Sequence, residues 1–384
     1  MRILHVIDSL HTGGAERNFA AVIPAIKRHD HRVVCLRDGG VYMPQVREAG
    51  VTVEVIPFEK AVDFPRALGH LRQMAAEADL VHTQLTDANL MGRMASFKRT
   101  PIVTSVQTTP YEPSIIRGYS SLGILKTGAH WAADVALSRA ASLLVAVSGQ
   151  VRDAVVERVR VAPSKVRVVY NSIDVLSVQR PTAEERRQVR AELGFTEHEL
   201  VMISVGKVIP AKGQWLLIEA MPALLERVPQ ARLLIVGDGT QTDELNARIR
   251  QLGLTERVRL LGNRDDVMRL LKATDLMAFA SALEGLPLSV IEAMATYVPC
   301  ALSGIQPHRE IQSVVARHAP EEASRMVVEA ATSRAWTDAM ASLLLDAPLR
   351  ERLAQAGRRA AEEAFDVSTC ADQLGTVFEE AVAR

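Results

Sequence analysis

A strand–helix alternation that runs, stops at a polar stretch and starts again is the strongest constraint on the fold of this chain. Short apolar runs rich in Val, Ile and Leu recur at residues 2–8, 32–36, 52–56, 79–83, 102–106, 142–147 and 166–171. A second series follows at 200–205, 232–236, 257–261, 275–280 and 299–303. Helical stretches separate the runs. Strands covered on both faces read as near-continuous apolar runs, and repeated strand–helix units argue for α/β architecture with doubly wound parallel sheets. A length of 384 residues suits two such domains. The polar residues 177–185 (SVQRPTAEE) read as the linker.

Composition excludes several classes. Charged residues make up 23% and the formal net charge is zero, which removes a global nucleic-acid footprint. The first half is mildly basic, suiting an acidic acceptor or an anionic membrane surface, although uneven solvated charge explains it equally well. Cys35, Cys300 and Cys370 are scattered without metal spacing and read as buried thiols in a reducing compartment. MRILHVIDSL reads as a first strand rather than a signal peptide, and no apolar stretch is long enough to span a membrane.

Residues 281–295, SALEGLPLSVIEAMA, hold the densest chemistry. Glu284 follows a buried strand. Gly285 permits a tight bend, and Pro287 fits the first turn of a helix. The helix start at Leu286–Leu288 offers backbone N–H groups to an anion. Glutamate on a helix is commonly a solvated residue. Glu292, however, sits among Leu288, Val290, Ile291, Ala293 and Met294, where an unpaired carboxylate is costly. A carboxylate on each side of an anion site suits a ligand with both phosphates and hydroxyls, such as a sugar nucleotide. Lys207 and Lys212 flank a turn at the end of the 200–205 run and could grip a diphosphate, or be two surface lysines. Gly13 and Gly14 follow the first strand, at the edge where open parallel sheets bind ligands.

Residues 281–295 resemble the Glu-x7-Glu signature of the retaining glycosyltransferases of family 4, which have the GT-B fold. Further segments resemble that family in order: Gly13-Gly14-Ala15-Glu16 its GGAE loop, the stretch from Ser148 its "vSe" segment, and Asn171–Asp174 its N-G-I-D segment. Residues 206–213 resemble GRLxxxKG, Val236–Gly239 the VGDG turn, and Gly262-Asn263-Arg264 the turn beside the nucleotide base. There are departures. Ser172 replaces a glycine. Lys207 replaces an arginine, keeping charge but losing bidentate geometry. Gln107 stands where relatives often have histidine, so that His82 or Gln107 must serve instead. Glu310 is kept, but residues 316–330 lack the glycine-rich GLLV form.

The resemblance implies two Rossmann-like doubly wound domains with a cleft between them. Residues 1–177 would face the acceptor, 178–365 would bind the nucleotide sugar, and a helix in 366–384 would cross back to the first domain. It implies transfer of a hexosyl or N-acetylhexosaminyl group, with retention, from a UDP- or GDP-linked sugar to a glycan, lipid-linked or small-molecule acceptor, as in polysaccharide biosynthesis. Glu284, Lys212 and Lys207 would be catalytic. Donor contacts would come from Gly13, Gly14, Lys207, Lys212, Gly237, Gly262, Asn263, Arg264, Glu284, Gly285, Leu286, Leu288 and Glu292. Glu16, His82, Gln107 and Asn171 are candidates on the acceptor or sugar side. No Asp-x-Asp or other ligand cluster is evident, so neither metal nor cofactor is expected and the lysines would replace a cation. The expected setting is cytoplasmic, with peripheral contact at the inner membrane face. A two-carboxylate glycoside hydrolase and a non-catalytic nucleotide-sugar-binding subunit are the alternatives.

Overall fold

A computed structural model of the chain describes residues 1–57, 63–96, 99–116 and 120–384. The chain divides into two units, Met1–Asp174 with Val367–Arg384, and Val175–Asp366.

The first unit is built on seven parallel strands: Arg2–Ile7 (β1), Asp30–Cys35 (β2), Thr52–Val55 (β3), Leu80–Gln84 (β4), Ile102–Val106 (β5), Leu143–Ala146 (β6) and Val166–Val168 (β7). Their order in the sheet is β3-β2-β1-β4-β5-β6-β7. The second unit has six: Leu200–Val205 (β8), Ala231–Val236 (β9), Val258–Leu260 (β10), Leu276–Phe279 (β11), Cys300–Ser303 (β12) and Val327–Val328 (β13), ordered β10-β9-β8-β11-β12-β13. In each sheet the order reverses once, between β1 and β4 and between β8 and β11. Ligands of open α/β sheets bind outside the carboxyl ends of the strands at such a reversal.

Strand β13 is absent from the sequence-based expectation, because its two residues are too short to show a pattern. The linker is shorter than expected. Thr182 already caps the helix Ala183–Glu192, its hydroxyl accepting from Glu185 N while the Glu185 carboxylate accepts from Thr182 N. Between residues 111 and 141 the structure has a short helix, Pro113–Ile116, and then one unbroken helix, Ser121–Ser138, that runs through Gly123 and Gly128.

The last helix, Val367–Ala383, belongs to the first unit. Its Phe378 packs against His5 and His82, Arg167 pairs with Glu380, and Arg28 donates to the Asp372 carbonyl.

His5, at 0% exposure, and His82, at 1%, lie inside the first unit's core, and His31 is half-buried beside them. Burial holds all three below the ordinary histidine value, His82 at about 3. Asp8 runs the other way: burial pushes it up to about 6, although Ala88 N donates to it at 2.7 Å. Below pH 6.5 the unfolded chain therefore takes protons on three histidines that the fold refuses, and stability falls with pH. Asp8 opposes this, because the fold takes a proton there before the unfolded chain does. Three groups outweigh one, so the net effect is a loss of stability as the pH falls below the ordinary histidine value. Urea unfolding of the first unit should show its midpoint dropping between pH 7 and pH 5, and Asp8→Asn should steepen the drop. A flat profile above pH 5 would contradict this account.

Candidate functional site

In the second unit four loops meet at the carboxyl edge of the sheet. After β8 the chain passes Gly206 and Lys207 into a short 3-10 turn, Pro210–Lys212. Gly213 follows at φ 67°, and a Cβ there would lie 2.3 Å from the Ala280 carbonyl oxygen. Only glycine lets the helix Gln214–Arg227 start so close to the end of β11. Ala282 N donates to the Ala211 carbonyl at 2.8 Å, and Ser281 Oγ reaches the same oxygen. These bonds bring the loop after β8 against the loop after β11, across the point where strand order reverses.

They also bring Lys212 to Glu284. Lys212 Nζ lies 2.5 Å from Glu284 Oε1 and 5.9 Å from the centre of the Phe279 ring. The pair is largely covered, with side-chain exposures of 20% and 9%. Lys207 is exposed, and its carbonyl accepts from Gln214 Nε2. The expected pair of lysines thus differs in setting: one ammonium is held by a carboxylate, the other stands in solvent.

The helix after Glu284 begins at Leu288, with Pro287 as its N-cap rather than in its first turn. Leu286 and Leu288 are buried, and so is Glu292, at 3% exposure within that helix. Gly285, at the bend before Leu286, is covered too. Gly237 N donates to the Gly262 carbonyl at 2.8 Å, tying the turns after β9 and β10 together. Asn263 is exposed. Arg264 is exposed and engaged by Asp266 through two 2.8 Å bonds.

His308 carries no signal in the sequence that marks it as part of this region. Its Nδ1–H donates to the Ser303 carbonyl at 2.9 Å, and burial lowers it to about 4. Ser303 Oγ in turn donates to the Ser281 carbonyl, bracing the loop that carries Glu284.

In the first unit Gly13 caps the helix Gly14–Ala25 with φ −170°, an extended backbone open to any residue. What a side chain there would meet is the Glu16 carboxylate, 2.1 Å from an added Cβ. Glu16 therefore folds back over Gly13, and Gly14 begins the helix. Asn18, one turn further on, accepts from Ser172 N at 2.7 Å and Ser172 Oγ at 3.2 Å. Asn171 beside it is buried. His82 faces inward, bonded to His5 and to Ser105 Oγ.

Gln107 lines a cavity of about 530 Å³ formed by the ends of β4 and β5 and the helix Ser121–Ser138. This cavity has a charged floor that the sequence does not announce. Arg93, 3% exposed, pairs with Asp134, which also accepts from Tyr111 Oη at 3.1 Å. An arginine inside the apolar stretch 90–96 is the available signal. Among the described residues no group of three or more His, Cys, Asp or Glu is arranged to hold a metal ion, and no helix is long and apolar enough to cross a membrane.

Two family models match the chain, one described as Glycosyltransferase Family 4 over residues 12–175 and one as Glycosyl transferases group 1 over residues 185–360. Among curated proteins, the UDP-Gal:alpha-D-GlcNAc-diphosphoundecaprenol alpha-1,3-galactosyltransferase of Escherichia coli is 27% identical over 59% of this chain and 58% of its own. The chain spans about half the length of such relatives; for the D-inositol 3-phosphate glycosyltransferase of Corynebacterium glutamicum, 28% identical over 58% of this chain, the share is 53%. Anabaena HepE, solved in complex with UDP, superposes with a TM-score of 0.83 at 24% identity, covering 99% of this chain and 100% of that one.

The turns of the second unit differ in how far they depend on glycine. Gly237 has φ 131°, and an added Cβ would sit 2.1 Å from the Gly206 carbonyl oxygen. Gly262 has φ 65° but open space around it. Gly237→Ala should cost about 3 kcal/mol and Gly262→Ala only about 1 kcal/mol in urea unfolding of the second unit. Equal losses would refute this reading of the turn.

Proposed function

The chain belongs to glycosyltransferase family 4 and has the GT-B fold, and from that premise we propose that it transfers a sugar from a nucleoside-diphosphate donor to a hydroxyl-bearing acceptor with retention at the anomeric carbon. The observation that carries the proposal is the Lys212–Glu284 pair at the strand-order reversal of the second unit. It supplies one cation for a diphosphate and one carboxylate for sugar hydroxyls in a single place.

UDP is the nucleotide best supported, since HepE was solved with UDP and the Escherichia coli relative is named for UDP-Gal. In the proposed reaction the bond between the anomeric carbon and the diphosphate oxygen breaks through an oxocarbenium-like state. Negative charge grows on the leaving diphosphate. The Lys212 ammonium and the amides at the Leu288 helix start oppose that charge, and fixed donors of this kind act most strongly in the transition state. Lys207, being exposed, adds charge at the outer phosphate. Glu284 accepts from donor sugar hydroxyls, and Glu292 from the ribose. The acceptor hydroxyl attacks from the face the diphosphate leaves, and its proton passes to the departing phosphate oxygen. The acceptor is a glycan, a lipid-linked sugar or a small molecule bound by the first unit, with contact to a membrane surface where the acceptor is lipid-linked.

Calorimetric titration with UDP tests the donor half. Lys212→Ala should weaken binding about 10- to 100-fold, the loss expected for a charge-assisted contact, and Lys207→Ala less than about 10-fold. Glu284→Gln should keep UDP binding while lowering turnover of UDP-sugars. If no nucleoside diphosphate binds, or if Lys212→Ala binds UDP as the parent does, the proposal fails.

A further inference from the structure

The donor chemistry above makes no use of the cavity of about 530 Å³, and the described residues that line it all belong to the first unit. One wall is the helix Ser121–Ser138. Lys126, His130, Asp134 and Ser138 line the cavity from that helix, four residues apart and so along one stripe of it. Exposure falls along the stripe. Lys126 and His130 are exposed, the Asp134 side chain is 24% exposed, and Ser138 is buried. The stripe therefore runs from a rim open to solvent down to a floor.

The charges of the floor and inner wall are matched. Arg93 pairs with Asp134 and donates to Ser138 Oγ at 2.9 Å and to Thr104 Oγ1 at 3.1 Å. Tyr111 Oη commits its proton to Asp134, and Glu112 pairs with Arg158 at 2.7 Å. At the rim the balance is broken. Among the described residues, Lys126 has no ion pair and the His130 ring no hydrogen bond. The lining thus presents one unmatched ammonium with one unused imidazole a turn of helix away.

Two further observations mark the cavity as a binding site. Leu85, directly after β4, has φ 75°, and Tyr111, in the stretch after β5, has φ 52°. Bulky residues rarely adopt that conformation, and strain of this kind collects where ligands are gripped. Thr109, 7% exposed, has its Oγ1 buried with no partner among the described residues, as do Gln107 Oε1 and Asn89 Oδ1. Buried polar groups are normally bonded, and hydroxyls of a ligand would satisfy these three.

We propose that this cavity takes the acceptor as a sugar bearing a phosphate: Lys126 and His130 hold the phosphate at the rim, and the sugar hydroxyls meet Gln107, Thr109 and Asn89. This rests on the transferase reading and names its acceptor class. An ester phosphate carries about −1.5 to −2 charge near neutral pH and has three strong acceptor oxygens. A lysine serves it as a point charge, and an imidazole N–H adds a directed bond. A carboxylate brings less charge and one oxygen fewer, and an uncharged glycoside leaves Lys126 idle.

The test is calorimetric titration of the full chain at pH 7.5 with UDP present in excess, so that the second unit's own phosphate site is filled. N-acetyl-α-D-glucosamine 1-phosphate should bind about 10-fold or more tighter than methyl N-acetyl-α-D-glucosaminide, and tighter than methyl α-D-glucuronide. Lys126→Ala should weaken the sugar phosphate about 10-fold or more and the methyl glycoside less than about threefold, while Lys126→Arg, which keeps the charge, should stay within about threefold of the parent. Thr109→Val should weaken the sugar phosphate about threefold and leave inorganic phosphate unchanged. The octyl diphosphate of the same sugar separates the sources: tighter binding points to a lipid carrier, equal binding to a free sugar phosphate, and both support the phosphate contact. Equal affinity for the phosphate and the methyl glycoside, or unchanged binding by Lys126→Ala, would overturn the proposal. UDP binding by the wild-type chain is read first: its absence would fell the transferase reading, and the Lys126 series, run without UDP, would still decide the phosphate contact.

Discussion

The ion pair between Lys212 and Glu284 joins the two loops that flank the reversal of strand order in the second unit. Its contribution to stability is modest, because the attraction between two largely covered charges is offset by the water they give up. Its value is positional. A lysine on a free stem would sample many rotamers, and ordering it on a ligand would cost binding energy. Here the ammonium is already placed, and the surrounding bonds hold it there: Ala282 to Ala211, Ser281 to Ala211, Ser303 to Ser281, and His308 to Ser303. Gly213 makes the approach possible by leaving no Cβ against Ala280.

Much of this is legible in the chain. Parallel strands covered on both faces declare themselves as apolar runs, and twelve of the thirteen are found that way. Glu292 stands out because a carboxylate in an apolar helix is costly, and it is buried. Other features are out of reach for a physical reason. The engagement of Arg264 by Asp266 depends on side-chain rotamers. The contact between Lys212 and Glu284, 72 positions apart, depends on which strands become neighbours. The same holds for Arg93 and Asp134, where sequence offers only one arginine in an apolar stretch. Pro287 lies one residue earlier than its propensity suggests, within the usual uncertainty of a helix boundary.

Two departures from the family pattern have structural counterparts. Ser172 stands where a glycine is usual, and its hydroxyl and amide both donate to Asn18. The backbone bond would form with glycine too, and the hydroxyl adds a second tie between the end of the first unit's sheet and its first helix. Lys207 stands where arginine is usual, and it is exposed. A bidentate fork gains most where water is excluded, so a point charge loses least at such a position.

The third departure, Gln107 in place of histidine, bears on what the first unit can hold. An imidazole does lie nearby, but His82 turns its Nε2 toward Ser105 and its Nδ1 toward His5, inside the core. Being buried and held to about 3, it stays neutral at physiological pH. It cannot offer a sugar the charge or the proton that an exposed histidine could. What reaches the cavity wall here is the amide of Gln107. At this position a titratable ring is exchanged for an uncharged amide, whose hydrogen-bonding character does not change across the physiological pH range.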